Sequence, residues 1–336
     1  MPRPRSNKVA EVKAKLLLSL QHGIHPPGSA FLSTRAIAQR FGISYQTAHR
    51  LSVELAEEGW LERRNASGTY VAGRQPALGG VHLLFNARAK RRESFGRRLI
   101  ECLTASLDAA GISWRISWVE DRVRLRADLL PILWEAPGAL AEIGRTKVFA
   151  VLLHDRPPAG LAGSFVDSVA VDDFSGGACA AELLREACGP LGRLAALAGP
   201  KLDPRSLRRV AGFSEVLPGA RVRWSPSWFS EDALPAARDL CSGYDGIFCG
   251  NDRLAAGVLE HCRAAKIDPP ALIGFDDAPV AEKLELATIA IPWREIAEAA
   301  THVAQRRLAG DSTTAAQHIF APRPVVRKSL RRGGRP

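Results

Sequence analysis

Between Ser33 and Val71 the chain spells out two short helices and a hairpin, and this stretch constrains everything placed around it. Ser33 can cap a first helix on which Ala36, Ile37 and Phe41 share one face, and Gly42 suits the left-handed residue that ends it. Ser44 can cap a second helix with Ala48, Leu51 and Leu55 as its apolar stripe, closed by Glu57-Glu58-Gly59. Trp60 to Arg64 and Gly68 to Val71, separated by Asn65-Ala66-Ser67, read as a small hairpin. Two helices joined by a tight turn and followed by a hairpin make a winged helix-turn-helix. Its second helix can enter the major groove, and its hairpin can lie along the backbone or minor groove.

The residues carry a resemblance as well. Pro27-Gly28, Leu32 to Arg35, Ala38, Phe41 to Ser44, Thr47, Leu55, Glu58 to Leu61 and Gly68 to Val71 together make the segment similar to the GntR-type DNA-binding domain. That resemblance, with the helix geometry, implies DNA contacts from Ser33, Thr34 and Arg35 at the start of the first helix. It implies others from Tyr45, Gln46, Thr47, His49 and Arg50 on the first two turns of the second, and from Gly68 at the wing tip, where the backbone can approach closely. Gln46 can pair bidentately with adenine, and Arg50 can bind guanine or phosphate. Many GntR-type domains carry Arg one and five residues after the capping Ser or Thr. Here those places hold Tyr45 and His49, a departure that bears on base preference and not on phosphate contacts.

Charge points the same way. The net charge is +11, and residues 1–80 hold eleven Lys and Arg against five Glu, a net +6 in under a quarter of the 336 residues. No apolar run approaches the roughly 20 residues of a membrane span, and Lys8 to Lys15 is too charged for the core of a signal peptide. A cytoplasmic protein is expected. The six cysteines form no C-x-x-C pair, so free thiols fit better than disulfides or zinc, and no metal site or cofactor is expected.

In chain order, residues 1–7 read as a disordered basic arm and Val9 to Leu20 as a helix with Val9, Val12, Leu16 and Leu20 on one side. The DNA-binding domain is placed at 1–74 and a linker at 75–80. Strands then alternate with helices: Val81–Phe85, Ser94–Ala110, Trp114–Val119, Leu129–Trp134, Gly138–Gly144 and Val148–Leu153. After a strand end at Val169–Asp173 the rhythm repeats through Gly176–Ala187, Leu194–Ala198, Pro204–Leu217, Val222–Trp224, Asp232–Cys241, Gly246–Cys249, Arg253–Ala265 and Ala271–Phe275. The rhythm predicts two successive lobes, each a parallel sheet flanked by helices, with a ligand at the carboxyl ends of strands.

Residues 81–330 carry a second resemblance, to the effector-binding domain of LacI/GalR-type repressors and so to periplasmic sugar-binding proteins. The carrying segments are Val171 to Gly177, Leu197 to Pro200, Arg209 to Phe213, Asp245 to Asp252, Ile273 to Asp277 and Pro324 to Ser329. The resemblance implies effector contacts from Arg209, Asn251 and Asp276, with Phe229 where an aromatic stacks on the ligand and Asp155 ending a first-lobe strand. Charged acceptors, a forked Arg and an aromatic face suit the hydroxyls and C–H face of a sugar.

The fold class expected is therefore multidomain: a winged helix-turn-helix followed by a bilobed α/β periplasmic-binding-protein-like domain, with a basic tail at 331–336. A GntR-type reader joined to a LacI-type sensor resembles the arabinose-repressor architecture. It implies a homodimeric repressor on a palindromic operator, released or tightened as a small molecule, a sugar, closes the sensor. The competing reading is an enzyme-like α/β domain on a GntR-type reader, as in aminotransferase-like fusions. Such a domain needs a cofactor lysine, and Lys90, Lys147, Lys201, Lys266, Lys283 and Lys328 have no recognisable Schiff-base setting. No P-loop, nucleophile elbow or G-x-G-x-x-G after a strand is present, so no catalysis is expected.

Overall fold

A computed structural model describes residues 5–21, 24–64, 67–72, 78–91, 94–119, 125–126, 128–146, 148–158 and 165–330. The chain divides into two compact units, one made of residues 1–89, 100–169 and 297–318, the other of 90–99, 170–296 and 319–336. Neither is continuous in sequence, whereas two successive lobes were expected.

The first unit opens with α1 (Arg5–Gln21), α2 (Thr34–Phe41) and α3 (Tyr45–Glu57), then the hairpin β1 (Leu61–Arg64) and β2 (Gly68–Val71). The local signals act as their chemistry dictates. Ser33 Oγ accepts from Ala36 N at 3.2 Å, Gly42 takes φ 60° at the end of α2, and Ser44 Oγ accepts from Thr47 N at 3.2 Å. Arg63 pairs with Thr69 and Glu62 with Tyr70 across the antiparallel hairpin. Helix α1 starts at Arg5 rather than Val9, because nothing after Pro4 breaks it; residues 5–7, expected in a disordered arm, are helical. Residues 1–4, Asn65-Ala66, linker residues 75–77 and the tail 331–336 lie outside the described residues.

Two cores meet on α1. Val12, Leu16 and Leu20 are buried with Ile37, Ala48, Leu51 and Leu55, as the stripe predicts. Leu18 points elsewhere and joins the cluster of Leu84, Leu133, Ile143 and Val166. The helix-capping stretch is thus anchored in the first sheet's own apolar core.

The α/β part runs, in order, β3 (Val81–Asn86), α4 (Phe95–Ala109), β4 (Trp114–Val119), β5 (Leu130–Trp134), α5 (Pro137–Thr146), β6 (Ala150–Leu153) and β7 (Val166–Val171). It continues through α6 (Asp173–Cys188), β8 (Leu194–Ala198), α7 (Pro204–Val216), β9 (Arg221–Trp224), α8 (Leu234–Cys241), β10 (Gly246–Cys249), α9 (Asp252–Ala265) and β11 (Ala271–Asp276). It ends with α10 (Pro279–Lys283), β12 (Ala287–Ala290), α11 (Trp293–Leu308), β13 (Gln317–Phe320) and β14 (Arg323–Val325). The first sheet has the order β13-β7-β6-β5-β3-β4 and the second β14-β12-β11-β10-β8-β9. In the first, β4, β3, β5, β6 and β7 are parallel neighbours. In the second, β9, β8, β10, β11 and β12 are parallel, and only β14 runs antiparallel, against β12. Strands such as Leu130–Trp134 and Leu194–Ala198 are buried throughout, as expected for parallel sheets covered on both faces.

The strand end expected at Val169–Asp173 is corrected. Strand β7 stops at Val171; Asp172 turns its carboxylate onto Ser175 N at 3.2 Å and caps a helix that begins at Asp173, three residues before the expected start. The helix expected at Asp232–Cys241 splits into a 3-10 turn, Ser230–Ala233, and α8. Pro235 suits the first turn of a new helix and cannot donate within an old one.

Candidate functional site

Two groups of side chains stand out, one in each unit. The first surrounds α3. Tyr45 is 55% exposed and its ring lies over that of His49, 6.4 Å between centroids. Arg63 of β1 reaches His49 Nε2 at 3.5 Å, and Arg64 lies over the Tyr70 ring at 4.3 Å. Arg35 and Gln46 are exposed; Arg50 is too, with its Nε 3.6 Å from Glu54. Ser33 and Ser44 spend their hydroxyls on the caps, and Thr47 Oγ1 shares a hydrogen bond with Ser44 Oγ at 2.8 Å. Thr34 is half-buried, and Gly68 takes φ 116° with open space around its Cα.

Two acids of α3 and its cap are paired with α1. Lys13 of α1 pairs with Glu54 at 3.1 Å and with Glu58, and those bonds hold its ammonium above its ordinary pKa. Lys8 donates to Gly42 O at 2.7 Å, beside the turn between α2 and α3. Tyr45, Gln46, His49, Arg63 and Arg64 stand outward, and so does Glu62, 3.4 Å from Arg64. Arg63, Arg64 and Lys8 were not singled out from sequence; the unbroken charged run Glu62-Arg63-Arg64, exposed along β1, was the available signal for the first two.

The second group lies in the other unit, at the ends of β8, β10 and β11. Helices α6 and α7 are in near-backbone contact: a Cβ on Gly177 would stand 2.0 Å from Arg209 O, and one on Gly212 1.9 Å from Phe174 O. That closeness sets Arg209, 3% exposed, against Asp173. Its Nε donates to Asp173 Oδ1 at 2.7 Å, and its Nη1 to Gly250 O at 2.6 Å and to Asp276 Oδ1 at 3.4 Å. The guanidinium stacks on Phe275, 3.6 Å from the ring centroid, with Trp228 at 5.5 Å. Asp276 and Asp277 both take left-handed backbones, φ 105° and 55°, conformations that cost a non-glycine residue about 1–3 kcal/mol each and gather at ligand sites. Burial pushes the Asp276 carboxyl above its ordinary range, against the pull of Arg209, Arg253 and Arg205.

Trp228 is fixed by its indole N–H, which donates to Asp203 at 3.0 Å. Burial alone would raise Asp203, but Arg205 and this indole hold it well below the usual carboxylate range. Asn251 is buried with its side chain in use: Oδ1 accepts from Leu254 N at 2.9 Å and caps α9, and Nδ2 donates to Trp228 O at 3.1 Å. Asp252 serves the fold, accepting from Thr288 Oγ1 at 2.6 Å and Ala278 N at 2.7 Å. Phe229 is half-buried, with Arg91 4.8 Å and Arg253 5.4 Å from its ring centroid. Arg209, Phe229, Asn251 and Asp276 therefore belong to one unit. Asp155 belongs to the other, where its Oδ1 accepts from Arg156 N at 2.8 Å. Sequence reasoning missed Asp173, Trp228 as an indole donor, Phe275, Arg91 and Arg253; the first two become visible only when α6, α7 and the segment before α8 are packed together.

Among the described residues no cluster of three or more His, Cys, Asp or Glu could hold a metal, and no helix is long and apolar enough to cross a membrane.

Known proteins share this architecture. A family described as a periplasmic binding protein-like domain matches residues 192–330. The HTH-type transcriptional regulator GalS of Salmonella typhimurium is 29% identical over 177 residues, 48% of this chain and 51% of that protein. An uncharacterized HTH-type transcriptional regulator from the aml 5′ region of Streptomyces limosus is 28% identical over 154 residues, 41% of this chain and 43% of that protein. The chain thus spans about half the length of the curated relatives it matches. Among solved structures, the transcriptional regulator CelR in complex with cellobiose matches with a TM-score of 0.64 at 17% identity, over 94% of this chain and 99% of that one. A LacI family regulator from Enterococcus faecalis V583 with bound ribose matches with a TM-score of 0.64 at 18% identity, over 76% of this chain and 100% of that one. At such identities the likeness shows the fold alone. The matched segment contains the second parallel sheet, Arg209 and Asp276, and the fold it shares is that of a periplasmic-binding-protein-like domain.

Proposed function

We propose that this protein is a DNA-binding transcription repressor controlled by a sugar. The observation that carries the reading is the joining in one chain of a capped helix pair and hairpin, exposed and basic, to a periplasmic-binding-protein-like domain. Relatives described as HTH-type transcriptional regulators, and structural neighbours described with ribose and cellobiose, support it. In this reading the N-terminal part, 1–74, is a GntR-type winged helix, joined through 75–80 to an effector domain at 81–330. Two copies bind a palindromic operator in the cytoplasm.

Helix α3 is the recognition helix. Gln46 offers its amide to a base, Arg50 a forked donor, and Tyr45 and His49 a stacked pair that Arg63 extends onto the hairpin. Arg35 binds phosphate. Ser33, Ser44 and Thr47 act through the caps they make, and Gly68 lets the wing approach the duplex backbone. Arg209 and Asp276 hold sugar hydroxyls, Phe229 meets the C–H face, and Asn251 contributes the Nδ2 hydrogen its bond to Trp228 O leaves over. Asp155 keeps an effector role on the resemblance to LacI/GalR-type domains.

The test is selection of bound duplexes from a random pool, followed by titration of the selected site. Arg35→Ala should weaken all sequences alike and lower the salt slope by about one; Gln46→Ala should relax one base position by about 1–3 kcal/mol. Enrichment of no sequence above non-specific binding would contradict the reading.

A further inference from the structure

Four arginines stand among the aromatic rings of the second unit, and only two of them are matched by acids. Arg205 pairs with Asp203 at 2.6 Å, and Arg209 with Asp173 at 2.7 Å and Asp276 at 3.4 Å. Arg91 and Arg253 have no acidic partner among the described residues. Each guanidinium instead lies over the ring of Phe229, 4.8 Å and 5.4 Å from its centroid.

This arrangement is specific in its chemistry. A guanidinium stacked on a ring satisfies its flat face and keeps its N–H donors at the edge, in the fork that matches two oxygens of a carboxylate or phosphate. A neutral sugar would find the aromatic face of Phe229 shared with two cations, neither of which has an anionic acceptor of its own among the described residues. Asp276, the acid whose carboxyl feels Arg253, is already shared with Arg209. The charge that completes this corner must come from the occupant.

We infer that the effector is a carbohydrate carrying an oxyanion, a sugar phosphate or a sugar acid, with Arg91 and Arg253 holding the anionic group beside Phe229. This rests on the sugar reading of Arg209 and Asp276 and names the class of sugar.

The full-length protein should be titrated at fixed salt with matched pairs: ribose and ribose 5-phosphate, glucose and glucose 6-phosphate, galactose and galacturonate. One anionic member should bind at least tenfold tighter than its neutral parent, and whether it is a phosphate or the carboxylate identifies the group. Arg91→Gln and Arg253→Gln should each cut that preference about tenfold while changing affinity for the neutral parent less than about twofold. Should Arg253→Gln unfold, Arg253→Lys, which keeps the charge but loses the fork, should still lower the preference. A neutral sugar that binds as tightly as its anionic partner, or a preference that survives both glutamine variants, would overturn this inference and leave the sugar reading standing. Binding of no member of any pair would remove the sugar reading and this inference with it.

Discussion

Arg209, proposed to hold the effector, is already committed to the fold. It is buried, and its charge is matched by Asp173 and Asp276 at the junction of α6, α7 and β11. Removing one partner of a buried pair typically costs about 3–5 kcal/mol, an upper bound here because Asp276 still faces Arg209 at 3.4 Å. Asp173→Ala should therefore lower the unfolding free energy by up to that amount in chemical denaturation; a loss under about 1 kcal/mol would mean that Asp276 alone suffices to match Arg209. Histidine adds a pH dependence. Burial lowers the pKa of His82, helped by Arg115, and also lowers that of His25, helped by Arg40. Each folded value then lies below the unfolded value near 6.5, so in the window beneath 6.5 the unfolded chain binds more protons and stability falls as pH falls. Thermal midpoints measured from pH 7.5 down to 5.5 should drop, and His82→Gln should flatten the slope; an unchanged slope would rule His82 out as a source. At this scale the motifs singled out Arg209 and Asp276, which the fold brings within 3.4 Å of each other, whereas they gave no sign of Asp173, Arg91 and Arg253, whose partners lie on elements whose packing no local pattern announces.

Among the elements, those that carry their own boundary chemistry were readable. Helices α2 and α3 begin and end where Ser33, Gly42 and Ser44 place them, since a cap is a bond between neighbours. The second half of the chain was harder. Strands β12 and β14 are four and three residues long with Pro292, Pro322 and Pro324 in or beside them, so periodicity had nothing to work on, and α11 escaped with them. Leu18 was missed because α1 was read with one apolar face while it has two. The α6–α7 contact offers a clean test of packing against propensity. Ala is ordinarily favoured over Gly inside a helix by about 1 kcal/mol. At Gly212 a Cβ would stand 1.9 Å from Phe174 O, so Gly212→Ala should reverse the sign and destabilise, by about 1–3 kcal/mol. A gain in stability would show that the two helices can part freely.

For the molecule as a whole, the sequence rhythm predicted two parallel α/β lobes and both sheets are there, yet each unit takes strands and helices from distant parts of the chain. Crossings of that kind are decided by tertiary packing and leave no local trace. Helix α1 joins the first sheet's core through Leu18 and the core of α2 and α3 through its other face, so the proposed reader is tied to its unit through α1. Under the proposed function, operator DNA and an oxyanion-bearing sugar bind the same chain and change each other's affinity. The most direct measurement is the affinity for the selected operator, by fluorescence anisotropy, with and without the panel sugar that binds best, together with that sugar's affinity with and without operator. The account predicts that both constants shift by the same factor, in the range of about 5–150. An operator affinity unchanged at saturating sugar would contradict it.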